Sequence, residues 1–144
     1  MAVSYTAVVD VDGEGRNGGR VRSSDGLLET GLAIPKEFGG AGTATNPEQL
    51  LAAGWAACFL GALRLAAGGR GIRLTSTAIT AEITLTHGDD GEFGLSAVLS
   101  PVLGGVDQAT AEELAQAAHR TCPYSKATRD NIPVVINARA ADAA

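Results

Sequence analysis

A chain of 144 residues is long enough for one domain, residues 1–144, that buries about two-thirds of its surface on folding. Its net charge of −5, with no basic cluster, argues against nucleic acid and against an anionic membrane as partner. The 19 glycines fall at turns without repeating, and 4% aromatic content implies a core of small side chains. The opening MAVSYTAVVD has neither a basic patch nor an apolar run, so no signal peptide is expected and the cytoplasm is the default location.

In chain order, Val3–Val11 alternates, with Val3, Tyr5, Ala7, Val9 and Val11 on one face, as in a half-buried strand. Gly13–Gly19 reads as a hairpin loop, Arg20–Ser23 as a return strand, Ser24–Gly26 as a turn and Leu27–Ile34 as a third strand. Pro35–Thr45 is a glycine-bearing loop that carries Phe38, of the kind that lines or moves over a site.

The loop leads into Thr45–Ala67, TNPEQLLAAGWAACFLGALRLAA. Asn46 can cap a helix, Pro47 suits its first position, and Gln49 can reach back to the cap. No residue from Leu50 to Leu63 is charged, so the helix is expected to be buried all round. It reads as shorter than the roughly 20 apolar residues of a membrane span. Gly54, Cys58 and Gly61 share one face, which leaves room beside the sulfur. A buried cysteine is ordinarily a small hydrophobe, so at this point both an inert and a reactive Cys58 stand.

Gly68–Gly71 ends the helix, with Arg70 and Arg73 near its negative pole. Thr77–Thr86 and Phe93–Val102 alternate as a hairpin about His87–Gly91, with Phe93, Leu95, Ala97 and Leu99 facing inward and Pro101 marking an edge or a strand end. Thr110–Glu113 has the form of a capping box for a second helix, whose inner stripe of Ala111, Leu114, Ala115 and Ala118, extended, reaches Cys122. Pro123 places Cys122 at a break, with a short helical turn, Tyr124–Arg129, after it. Ile132–Ala138 is the last strand, and the tail beyond is expected to fray. The order βββ-α-ββ-α-β is an α+β chain without a βαβ series.

Paired-thiol chemistry needs one thiolate, a cationic neighbour to stabilise it, and a second thiol to resolve the sulfenic acid. Arg16, Arg20 and Arg22 are the early cations, and Glu48 is the carboxylate nearest the apolar helix. Cys122-Pro-Tyr-Ser125 looks like a glutaredoxin motif that has lost its second cysteine, but only one strand follows it. Cys58, Cys122, His87 and His119 lack the paired spacing of a zinc site. A Cys–His nucleophile using His119 has no third group to orient it.

The segment Phe38–Ala62, with Thr-Asn-Pro-Glu-Gln-Leu and Ala-Ala-Gly-Trp-Ala-Ala-Cys-Phe, closely resembles the organic hydroperoxide resistance (Ohr) branch of the Ohr/OsmC family. HRTCPYSKATRDN, His119 to Asn131, resembles the same branch rather than its osmotically inducible cousins, and Tyr5–Ala7 and Ser23–Gly26 agree. The resemblance implies an OsmC-like fold, with antiparallel sheets wrapped around a long buried central helix in an intertwined homodimer. It implies a thiol-dependent peroxidase that reduces organic hydroperoxides to alcohols, in which Cys58 is oxidised to a sulfenic acid and Cys122 resolves it to a Cys58–Cys122 disulfide. Re-reduction would come from dihydrolipoyl groups on a lipoylated protein or from a small dithiol, with no metal or other cofactor. By the same resemblance Glu48 holds a catalytic arginine over the thiolate. Arg16 matches that arginine best, and Arg20 is the alternative because one extra residue precedes Ser23. Phe38, Trp55, Phe59 and Leu60 are the candidate substrate pocket, Trp55 standing where the family usually has tyrosine or phenylalanine.

Glu48 and Cys58 are separated by ten residues, which is about 15 Å along a helix and roughly 80° around it. One helix cannot bring both to one site, so a homodimer that shares its catalytic residues is expected. Two other readings stand beside the peroxidase: a hydroperoxide- or fatty-acid-binding protein with weak turnover, and a structural dimer with inert cysteines.

Overall fold

The computed structural model describes residues 2–141 and divides into two compact units, Met1–Leu50 and Leu51–Ala144. The tail expected to fray begins after Ala138, but Arg139–Ala140 pair as a short strand with Val102 and Leu103; residues 142–144 lie outside the described residues.

In the first unit β1 (Val9–Asp12), β2 (Arg20–Ser23) and β3 (Glu29–Gly31) form an antiparallel meander in that order. The strand expected over Val3–Val11 begins only at Val9, because β2 is four residues long and its register ends at Val9↔Ser23. Alternation continues past the point where a partner exists, so Val3 and Tyr5 are 97% and 85% exposed. The third strand is also shorter than expected. The Asp25 carboxylate accepts from the Ser23 hydroxyl at 2.6 Å and the Leu27 N–H at 3.0 Å, a local turn that takes Leu27 out of the ladder.

Helix α1 (Pro47–Gly69) starts in the first unit and runs on into the second. Asn46 caps it, its Oδ1 accepting from the Gln49 N–H at 2.9 Å. The Gln49 side chain accepts from the Thr45 hydroxyl at 2.6 Å instead of reaching back to the cap. At 23 residues the helix is long and apolar enough to cross a membrane, which corrects the expectation that it is too short for a span. Its buried residues instead pack into a protein core: Trp55, Phe59, Ala62, Leu63 and Ala67 lie against Ala97, Leu99 and Leu103 of the sheet and Ala111, Leu114, Ala115 and Ala118 of α2. Each large side chain so buried contributes about 1.5–3 kcal/mol. Burial is one-sided, however, and not all round. Ala53, Ala57, Gly61, Leu65 and Gly68 are exposed, Leu65 at 80%.

The sheet of the second unit pairs β4 (Ser76–His87) with β5 (Phe93–Gly104) over twelve antiparallel partners. Phe93 does not face inward; at the hairpin end it stacks on His87 with ring centroids 4.2 Å apart. Helix α2 (Gln108–Thr121) is capped by Asp107, whose carboxylate accepts from the Thr110 N–H at 2.8 Å, so it starts before the box expected at Thr110. Its inner stripe is buried as expected. Helix α3 (Pro123–Thr128) follows, and then β6 (Val134–Ile136) and β7 (Arg139–Ala140), both parallel to β5. The path from β5 through α2 and α3 to β6 is therefore one parallel crossover, in a chain read as having no βαβ series.

Pro101 lies inside central β5, opposite Ile79, not at an edge. Ala97 donates to the Pro133 carbonyl at 2.9 Å, and the Leu99 carbonyl accepts from Asn137 at 2.9 Å, so odd-numbered residues of β5 address the β6–β7 side. Proline has no N–H to offer there. The pairings Leu99↔Ile136 and Val102↔Arg139 keep the same offset, so β6 and β7 are one strand line interrupted opposite Pro101.

Candidate active site

The two cysteines, 64 residues apart in sequence, meet in the second unit: Cys122 Sγ lies 3.3 Å from Cys58 Sγ, and both thiols are free. Pro123 is the local cause. The Cys122 N–H still bonds the Ala118 carbonyl at 2.7 Å, but the backbone there turns extended (φ −60°, ψ 123°) because a residue before proline avoids helical geometry. Pro123 then opens α3 at its first turn, where its missing N–H costs nothing. Cys122 is wholly buried and Cys58 half-buried.

Burial pushes the Cys58 thiol above its ordinary value, and the adjacent Cys122 sulfur acts in the same direction, while the Tyr124 backbone N–H on the sulfur opposes them. Two further contacts fasten the Cys122–Ser125 segment to α1. A Cβ placed on Gly54 would lie 3.1 Å from Tyr124 Cε2, so the tyrosine ring occupies space that the sequence had assigned to the thiol's surroundings. Trp55 Nε1 donates to Ser125 Oγ at 3.1 Å, with both residues wholly buried. Tyr124 and Ser125 were absent from the residues picked out by sequence. The Cys122-Pro-Tyr-Ser125 motif carries both residues.

Arg16 and Glu48 meet within the first unit. Arg16 Nη1 donates to Glu48 Oε2 at 2.9 Å and Nη2 to Oε1 at 2.7 Å, the two-pronged grip that a planar guanidinium makes on a carboxylate. Arg16 sits on a 3-10 turn, Gly15–Asn17, between β1 and β2. That turn closes tightly: a Cβ on Gly19 would be 2.1 Å from the Asp12 carbonyl oxygen. Glu48 lies in the first turn of α1, where the helix dipole favours a carboxylate. The Arg16 hydrogen bonds hold the Glu48 carboxyl below its usual range against a desolvation penalty, and the same bonds raise Arg16. Arg20, the alternative arginine, pairs with Glu29 at 3.2 Å.

Of the expected pocket residues, Trp55 and Phe59 are wholly buried, Leu60 is half-buried and Phe38 is exposed. The His119 ring lies 6.5 Å from Phe59, and its Nδ1 is buried without a hydrogen-bond partner. Burial, and after it the charge of Arg129, lowers the His119 pKa. Among the described residues no cluster of three His, Cys, Asp or Glu side chains could hold a metal ion.

Residues 40–137 match the family described as OsmC-like protein. An organic hydroperoxide resistance protein of Xanthomonas axonopodis pv. citri is 43% identical over 93% of this chain and 94% of its own length. Among solved structures, an organic hydroperoxide resistance protein from Legionella pneumophila superposes with a TM-score of 0.89 at 40% identity, covering 96% of this chain and 99% of that one. OhrB of Bacillus subtilis superposes with a TM-score of 0.83 at 40% identity, covering 93% and 98%. The fold is thus the α+β fold these proteins share, and the chain belongs to the OsmC-like family, in its organic hydroperoxide resistance branch.

Proposed function

We propose that this protein reduces organic hydroperoxides by thiol chemistry. The observation that carries this reading is the 3.3 Å contact between two free thiols, one reachable and one buried. The Cys58 thiolate attacks the distal peroxide oxygen; the O–O bond breaks, a proton goes to the leaving alkoxide, and an alcohol and a Cys58 sulfenic acid result. The Cys122 sulfur then attacks Cys58 Sγ and expels water, forming the disulfide. A dithiol, such as a dihydrolipoyl group on a protein partner, returns both cysteines to thiols and becomes a disulfide itself. The names of the organic hydroperoxide resistance relatives support the substrate class.

Burial alone disfavours the Cys58 thiolate, so the mechanism needs a cation near it. Arg16, aligned by Glu48, fills that role. Because Glu48 stands about 15 Å along α1 from Cys58, the pair that serves one thiolate comes from a second copy of the chain. The exposed, uncharged α1 positions Ala53, Ala57, Gly61 and Leu65 suit packing against that copy. An alkyl hydroperoxide gains roughly 25 cal/mol per Å² of apolar surface it buries, which favours it over hydrogen peroxide; Trp55, Phe59 and Leu60, all on α1, are the proposed apolar surroundings.

The upward push on the Cys58 pKa favours a second reading, a hydroperoxide- or fatty-acid-binding protein with weak turnover. Counting thiols separates the two. One equivalent of cumene hydroperoxide should remove two thiols per chain, dihydrolipoate should restore them, and Cys58→Ser should lose none. An unchanged thiol count in the native protein overturns the enzyme.

A further inference from the structure

We propose that the Trp55–Ser125 hydrogen bond is a strut that holds the two sulfurs at bonding reach, making Trp55 and Ser125 positioning residues for disulfide closure. Its meaning for turnover rests on the peroxidase reading above; its effect on the dithiol–disulfide equilibrium does not. The placement is symmetric. Trp55 stands three residues before Cys58 on α1, and Ser125 stands three residues after Cys122 on α3. Each end of the bond is thus about one helical turn from one sulfur. Among the described residues it is the one side-chain hydrogen bond that is wholly buried.

The other ties between the Cys122–Ser125 segment and α1 are softer. The sulfur–sulfur contact and the Tyr124 N–H on the Cys58 sulfur are weak hydrogen bonds, since sulfur is a poor donor and acceptor. Tyr124, over Gly54, is 44% exposed, so its ring can swing away. The indole N–H, by contrast, is a donor with no water to turn to, and separating it from Ser125 leaves both groups unsatisfied in the interior. Closing the disulfide draws the sulfurs from 3.3 Å to about 2.05 Å. A segment pinned one turn away makes that approach with little loss of chain freedom, whereas a segment that wanders must be brought back each time.

The equilibrium to measure is protein dithiol plus oxidised dithiothreitol giving protein disulfide plus reduced dithiothreitol, a two-electron exchange that balances without peroxide. Trp55→Phe removes the donor and Ser125→Ala removes the acceptor with the loss of one oxygen atom. Each should lower the equilibrium constant for closure about five- to tenfold; tenfold corresponds to about 30 mV. The double variant should be no worse than either single one, because both break the same bond. Separate packing effects would add instead, so additivity overturns the strut, as does a wild-type equilibrium constant in both singles. Trp55 is the only tryptophan in the chain, so in Ser125→Ala its emission reports directly on the lost partner. If one variant fails to fold, the other breaks the same bond from its opposite end.

The two readings fail separately. A native protein that exchanges with dithiothreitol yet ignores organic hydroperoxide ends the peroxidase and leaves the strut standing. Variants that close like the native protein end the strut and leave the peroxidase. With excess cumene hydroperoxide, slower closure in Ser125→Ala should let Cys58 gain a second oxygen at about five- to tenfold lower peroxide, read by mass spectrometry.

Discussion

For Glu48 the sign of the pH dependence follows from the direction of its shift. Its carboxyl titrates lower in the folded chain, mainly through the Arg16 hydrogen bonds. The folded state therefore binds that proton less readily than the unfolded state, and the pair stabilises fully above the ordinary carboxylate range. That contribution fades as pH falls through the depressed folded value. Glu48→Gln should cost about 1 kcal/mol at pH 7, a modest figure because the guanidinium is partly in water. The gap between variant and native protein, followed by urea unfolding, should close below about pH 4; a gap that persists in acid would mean the carboxylate charge is not what stabilises. At this scale the sequence was readable where a motif marked it. Cys58, Cys122, Arg16 and Glu48 all stood out, and the structure brings them together as two pairs. The Trp55–Ser125 bond spans 70 residues of sequence and leaves no periodic trace.

Long elements were legible because their periods are sustained: α1, α2 and the β4–β5 hairpin all appear near their expected bounds. Short strands were not, since alternation reports which face a residue would take and not whether a partner strand reaches it. β1 shows this, alternating from Val3 but pairing only from Val9. Pro101 misled for a related reason: proline disfavours a central strand only if its missing N–H was needed there. Pro101→Val restores that donor opposite the Asn137 carbonyl. β6 and β7 should then join into one strand, with slower amide hydrogen exchange at Arg139, whose N–H faces β5, measurable by NMR. Unchanged exchange would show that the interruption has another origin.

At the scale of the assembled molecule the proposal is a shared site. Mixed dimers of Cys58→Ser and Glu48→Ala chains should regain about half of native turnover, since one of the two sites is then complete; no recovery would end the shared site. The outward side of α1 carries a thermodynamic consequence of its own. Ala53, Ala57, Gly61 and Leu65 meet water in the lone chain, so in the proposed dimer covering them belongs to the same free-energy balance as folding. Mass action then enters stability: the midpoint of thermal unfolding should climb with protein concentration, and dilution should act as a denaturant.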